Sequence, residues 1–151
     1  MNGRFAAFGP AKTARGFFKV DVLDLTPYLT EARNVVVLNV LCARINSFSL
    51  QDQPSFAAAE ISAEGKCLFW TDENGTFPAW LRGCRIQRVQ RFSYQRTFAE
   101  AYRLTPRDAL FETQPEWENA PCLLHRTDEK RFLPRDVRYP QYPRAQARLI
   151  G

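Results

Sequence analysis

Short apolar runs, separated by turn-forming residues, indicate a chain built mainly of β-strands. Residues 35–43 read VVVLNVLCA, a run that is apolar on both faces and rich in β-branched side chains. Such a run is typical of a central strand buried on both sides, which would make Cys42 a small buried hydrophobe. A buried helix is the alternative, but the run is short and rich in valine, which favours the strand.

Turn signals define further elements on both sides of this run. Residues 17–25, FFKVDVLDL, alternate imperfectly between apolar and polar and predict a strand. Asn2-Gly3 is a tight-turn dipeptide, and Thr26 followed by Pro27 predicts a helical turn that Thr26 caps.

The middle of the chain predicts more strands joined by turns. Strands are expected at residues 56–62 and 67–71, with Glu64-Gly65 as the turn between them. Residues 89–104 predict one long strand, because alternate positions there are mostly apolar or aromatic: Phe92, Tyr94, Arg96, Phe98, Glu100, Tyr102 and Leu104.

From Thr105 onward prolines recur, and the pattern predicts an irregular, extended segment. Six to eight short strands with almost no amphipathic helix predict an all-β protein, a β-sandwich or barrel. We therefore expect a β-sandwich domain at residues 1–104. A Pro-rich connector at 105–151 would pack on it or lead to a following domain.

Charge and cysteine content change this picture little. The net charge of +5 comes mainly from arginines spread along the chain, which is typical of a soluble basic domain. The four cysteines form no C-x-x-C pair and His125 is the only histidine, so we expect no metal site and leave two disulfides open. No secretory signal is visible, and no apolar run approaches the roughly 20 residues that span a bilayer.

Several phrases in order resemble the β-sandwich region that precedes the catalytic helical barrel in bacterial α-L-rhamnosidase-like glycoside hydrolases. The later phrases, FSYQR and LPRDV, are more specific than the DLTPYL phrase, which many galactose-binding-like sandwiches share. The matching positions are Asn2-Gly3-Arg4, Gly9-Pro10-Ala11, Asp24 to Leu29, Asn34 to Val37, Arg91 to Arg96 with Phe98 and Glu100, and Phe132 to Val137.

The resemblance covers nearly the whole chain and implies a jelly-roll-like, galactose-binding-like sandwich from a bacterial protein, periplasmic or cytoplasmic. It also implies that the first sandwich strands are missing, because family members usually have strands before the N-G-R hairpin. Missing strands would leave exposed strand edges, through which two copies could pair as a homodimer.

Catalytic chemistry has little support in the sequence. Adjacent acidic pairs such as Asp72-Glu73 are typical of solvated turns, and the resembling family carries its catalytic acids in the barrel, which this chain lacks. His125 has no surrounding triad signal, and no phosphate-binding loop is present. We expect no catalytic residue and no cofactor, so the chain is not expected to be an enzyme by itself.

Sugar binding is the chemistry that the aromatic residues could support. Sandwich domains bind sugars on exposed aromatic faces beside polar side chains. Trp80, in a turn region, is the tryptophan we expect to be exposed, whereas Trp70 and Tyr94 are expected in the core. The candidate carbohydrate-binding residues are therefore Trp80, Trp117, Arg96 and Gln95.

Three functions remain open at this stage. The favoured one is a non-catalytic accessory domain that supports the catalytic barrel of the same parent chain. The alternatives are a carbohydrate-binding module for rhamnose-containing glycans and a basic interaction module for an anionic polymer. We expect no nucleic-acid partner, because seven acidic residues between positions 100 and 129 weaken the field of the arginines. We also expect no membrane partner, because no apolar run is long enough to span a bilayer.

Overall fold

The computed structural model describes residues 1–42, 45–46, 52–71, 77–96, 98–114 and 129–141. The regular elements there are four short strands and two 3-10 helical turns, with no α-helix in these ranges. The strands are β1 (Phe17–Val20), β2 (Glu60–Ala63), β3 (Lys66–Trp70) and β4 (Arg131–Pro134), and the 3-10 turns are Thr26–Tyr28 and Asp108–Leu110. The β-rich class is confirmed; the jelly-roll-like sandwich stays a prediction.

The chain divides into two compact units. One contains Met1–Ala7 and Leu23–Glu129, and the other contains Phe8–Val22 with the residues from Lys130 onward. We call them the large unit and the small unit. The predicted boundary between a domain ending at residue 104 and a following connector stays a prediction.

Strands β2 and β3 of the large unit form an antiparallel hairpin around the predicted Glu64-Gly65 turn. Both turn residues have positive φ, 51° at Glu64 and 73° at Gly65, as a two-residue type I′ turn requires. The pairing runs from Ala63 opposite Lys66 to Glu60 opposite Trp70. The turn prediction is confirmed, and the first strand begins four residues later than position 56.

The Asn2-Gly3 turn is also confirmed, and the Asn2 side chain ties it to the rest of the large unit. The Arg4 backbone N–H donates to the Met1 carbonyl at 2.8 Å. The Asn2 side chain donates to the Tyr28 carbonyl and to Asn34 Oδ1, and its own Oδ1 accepts from the Val35 N–H at 2.7 Å. These bonds hold the first turn against residues 28–35.

The helical turn at Thr26–Tyr28 forms as predicted, but its cap differs. Leu25 is the capping residue and makes no side-chain bond, while the Thr26 N–H donates to Asp24 Oδ1 at 2.9 Å. The Asp24 carboxylate therefore plays the role assigned to Thr26. Hydrogen bonds from Thr26, first from its hydroxyl and then from its backbone, hold the pKa of Asp24 below its usual value.

Residues 35–42 form no strand, which overturns the prediction of a central strand from residue 35. Leu38, Val40 and Leu41 are each close to half exposed, and Cys42 is exposed. The run carries the composition of a buried strand but has no ladder partner among the described residues. Burial of an apolar run depends on what packs against it, which composition does not state.

The small unit joins β1 to β4, a parallel pair in which Phe17 lies opposite Arg131 and Val20 opposite Pro134. We predicted an irregular segment around β4, because proline cannot donate to a ladder. Pro134 is the last residue of the strand, where its missing N–H does little harm. Strand β1 stops before the predicted residue 25, since the Tyr139 hydroxyl bonds both the N–H and the carbonyl of Val22.

Ion pairs hold this small sheet together. Arg135 donates from one nitrogen to both carboxylate oxygens of Asp21, at 2.8 and 2.9 Å, and both side chains are about nine-tenths buried. Lys19 pairs with Asp136 at 2.7 Å, and this bond lowers the pKa of Asp136. The residues of the LPRDV phrase thus clamp β1 from the side of β4.

Replacing Arg135 with alanine should destabilise the small unit. The change leaves the Asp21 carboxylate without its partner, which we expect to cost about 2–3 kcal/mol. Chemical denaturation gives the free energy of unfolding, and Arg138→Ala, an exposed neighbour, is the control. Equal stability of the two variants would contradict this role of the ion pair.

Candidate functional site

The arginine-rich segment forms an irregular antiparallel hairpin between residues 84 and 103 of the large unit. Its backbone bonds run from the Arg103 N–H to the Cys84 carbonyl, from Ile86 to Ala101 and from Ala99 to Gln90. Arg85 lies opposite Tyr102 and Arg91 opposite Phe98, so the register shifts by two positions along the hairpin. Residues 92–96 are consequently at the turning end, which we call the hairpin tip.

The Arg91 side chain forms hydrogen bonds with the backbone of the hairpin tip. Its guanidinium donates to the carbonyls of Arg96 at 2.9 Å, Tyr94 at 2.6 Å and Asn46 at 3.0 Å. The Arg96 N–H donates back to Ser93, both to its carbonyl and to its hydroxyl. The Arg91 side chain thus binds two carbonyls within a turn that contains neither glycine nor proline, and a third carbonyl at Asn46.

The aromatic residues of the hairpin tip face solvent. Phe92 is 71% exposed and Tyr94 is 79% exposed, so the prediction that Tyr94 lies in the core is wrong. The predicted single strand at 89–104 is also wrong, because the chain turns back at Ser93–Arg96. A signal was present: the supposed apolar face also carried Arg96 and Glu100, which an interior face would not accept unpaired.

Gln95 and Arg96, both predicted as sugar-binding residues, lie side by side on this tip. The Gln95 amide donates to the Tyr94 hydroxyl at 3.0 Å. The Arg96 guanidinium lies 5.3 Å from the centre of the Phe92 ring, a cation–π contact, and the residue as a whole is exposed. The tip therefore combines a flat aromatic face, an amide–hydroxyl pair and a cation.

The tryptophans do not join this group. Trp80, expected to be exposed, is partly buried. No hydrogen bond or ring contact among the described residues joins Trp80 to the hairpin tip. Trp70, expected in the core, is 39% exposed on β3. Trp117 lies outside the described residues. The sugar-binding role of Gln95 and Arg96 stays a prediction, and the exposed aromatic residues beside them, Phe92 and Tyr94, were not among the predicted site residues.

The charged side chains in the segment around the hairpin tip are all positive. Residues 74–99 contain five arginines and no aspartate, glutamate or lysine. The nearest acidic group along the chain, Glu100, is engaged: Tyr102 donates to it at 3.0 Å and Arg85 lies 3.9 Å away. Arg82 is held by stacking, 3.7 Å from the centre of the Phe111 ring. Arg88 and Arg96 are exposed and face no carboxylate among the described residues.

A second cluster at the open end of the hairpin does not look reactive. Cys84 lies near Asp108, which accepts hydrogen bonds from the backbone and hydroxyl of Thr105. Burial, followed by the hydrogen bond to Asp108, raises the pKa of the Cys84 thiol, so the thiolate is disfavoured at neutral pH. The Asp108–Thr105 hydrogen bonds stabilise the loop after Leu104.

The described residues form neither a metal-binding cluster nor a membrane-spanning helix. Across the described ranges, no three His, Cys, Asp or Glu side chains come together to hold a metal ion. The described part of the chain also lacks any helix with the length and apolar character needed to cross a bilayer.

Comparison of the chain with protein-family models, with curated proteins and with solved structures gives no match. The resemblance to the rhamnosidase-like sandwich therefore rests on the sequence phrases alone.

Replacing Arg91 with alanine should loosen the hairpin tip. The change removes three donated bonds, and we expect hydrogen exchange at the Ala99 N–H, which bonds to Gln90, to become about tenfold faster. Amide exchange measured by NMR tests this, with Arg88→Ala as the control that removes the same charge. Unchanged exchange in Arg91→Ala would show that the turn is held by other contacts.

Proposed function

We propose that this chain is a non-catalytic accessory domain of an α-L-rhamnosidase-like glycoside hydrolase. Its role would be to pack against the catalytic barrel of the parent protein and support it. Two lines of support exist: the ordered phrases from N-G-R to L-P-R-D-V, and the exposure of apolar side chains where a partner domain could cover them.

The small unit carries the observation that favours this role. Val20, Val22, Phe132, Val137 and Tyr139 are between 42% and 82% exposed, although they lie in or beside its paired strands. No apolar side chain of the described residues is fully buried. Apolar residues exposed in such number are typical of surfaces that another protein surface covers.

The sheets also have room for further strands. Each of the two described sheets has two strands, which is marginal for independent stability. In a jelly-roll-like sandwich, as the resemblance implies, neighbouring strands would cover the outer edges of β1–β4 and β2–β3. A second copy of the chain could occupy the same edges, which is the homodimer alternative.

A binding experiment with a catalytic barrel tests the accessory role. The separately produced helical barrel of a bacterial α-L-rhamnosidase is titrated with this chain, and size exclusion with light scattering follows the complex. We expect a 1:1 complex that Val22→Asp weakens about tenfold, because the change places a carboxylate in apolar surface that the complex would bury.

The matched control is Leu104→Asp, an exposed apolar residue of the large unit, which should bind like the unchanged chain. Absence of a complex, or equal weakening by both variants, would contradict the proposal. A dimer of the chain alone that Val22→Asp leaves intact would favour pairing through the strand edges.

Carbohydrate binding is a second candidate function, and the exposed hairpin tip is the observation that favours it. Tyr94 presents a ring next to the Gln95 amide and the Arg96 guanidinium, and sugars bind to surfaces of this composition. Trp80 fits this function less well than expected, because it is partly buried and unconnected to the tip.

Titration with L-rhamnose and rhamnose-bearing oligosaccharides tests the second candidate. Calorimetry and NMR should show saturable binding, with shifts at the N–H groups of Tyr94, Gln95 and Arg96. Tyr94→Ala should abolish these shifts, whereas Phe8→Ala, another exposed aromatic, should not. No binding at millimolar sugar would remove this candidate and leave the accessory role.

A further inference from the structure

We propose that the hairpin tip binds a sugar that carries a carboxylate, as in an acidic polysaccharide. This inference rests on the second candidate function and names its ligand class. The aromatic ring of Tyr94 would contact the C–H face of a sugar ring, the Tyr94–Gln95 pair would bond its hydroxyls, and Arg96 would pair with the carboxylate.

Charge complementarity favours an acidic ligand. The segment that forms the tip has only positive charges over 26 positions, residues 74–99. Of these arginines, Arg91 donates hydrogen bonds to three backbone carbonyls, and Arg82 stacks on the Phe111 ring. Arg96 is exposed and has no carboxylate partner among the described residues, and a guanidinium edge matches a carboxylate with two parallel hydrogen bonds.

The restrained position of Arg96 also favours an anionic ligand. Its guanidinium is restrained by the Phe92 ring, and its backbone is fixed by Ser93 and by the Arg91 bond to its carbonyl. A restrained cation loses less conformational entropy when it binds an anion than a free side chain does. The structure thus positions this arginine and gives it no carboxylate partner among the described residues.

The amide–hydroxyl pair decides between classes of anion. Gln95 donates to the Tyr94 hydroxyl, which leaves that hydroxyl able to donate and the Gln95 carbonyl oxygen able to accept. Adjacent donor and acceptor groups suit the hydroxyls of a sugar. Single-stranded nucleic acid binds instead through a groove with a row of cations and several stacking rings, whereas the tip carries a single arginine, Arg96.

The test compares three probes on the unchanged chain at low ionic strength and pH 7. They are a linear trimer of galacturonic acid, the same trimer with its carboxylates methyl-esterified, and a single-stranded oligothymidylate of matched charge. We expect saturable binding of the acid trimer, at least tenfold weaker binding of the ester, and shifts at Tyr94, Gln95 and Arg96. Arg96→Gln should weaken the acid trimer about tenfold and leave the ester unchanged.

The controls distinguish failure of the carboxylate preference from failure of sugar binding itself. Arg15→Gln removes one exposed positive charge from the small unit and should bind the acid trimer like the unchanged chain. Equal binding of acid and ester would overturn the preference for a carboxylate while leaving sugar binding intact. Binding of neither sugar would overturn both, and tighter binding of the oligothymidylate would replace the sugar with a nucleic acid.

Discussion

An ion pair in which one Arg135 nitrogen donates to both carboxylate oxygens of Asp21 joins two segments that are 114 positions apart, and it supports the parallel pairing of β1 with β4. A two-stranded parallel sheet gains little from its own ladder and needs support from outside it. The described residues include no fully buried apolar side chain, so this support comes from charged and polar groups. Asn2 and Arg91 provide the same kind of support in the large unit.

This reliance on polar contacts explains which surfaces remain open for function. Arg135 and Arg91 donate their hydrogen bonds to groups within the chain, while apolar or aromatic side chains such as Val22 and Tyr94 remain exposed. The exposed valines in the small unit suit contact with a protein surface. The exposed aromatics in the hairpin tip lie beside an amide and a cation, so they suit a polar ligand. The two candidate functions therefore use different parts of the chain and are compatible.

Part of the candidate site consists of residues that the sequence pattern suggests. Gln95 and Arg96 are candidates because their residue types suit sugar hydroxyls, and the structure places both at the exposed hairpin tip, while their role in sugar binding stays a prediction. Phe92 and Tyr94 were assigned to a strand face instead, because alternation was extended through residues 93–96. The turn there is made by the Ser93 hydroxyl and the Arg91 guanidinium, so it lacks the glycine, proline or asparagine that usually marks a turn.

The sequence by itself determined the β-rich class and the turns at Asn2-Gly3, Glu64-Gly65 and Thr26–Tyr28. These features depend on backbone angles that the local residues favour, so neighbouring positions are sufficient to specify them. Only the tertiary structure decided that β1 pairs with β4, that residues 35–42 form no strand and that Tyr94 faces solvent. Those outcomes depend on which distant backbone and side-chain groups supply partners, and local patterns of polarity do not contain that information.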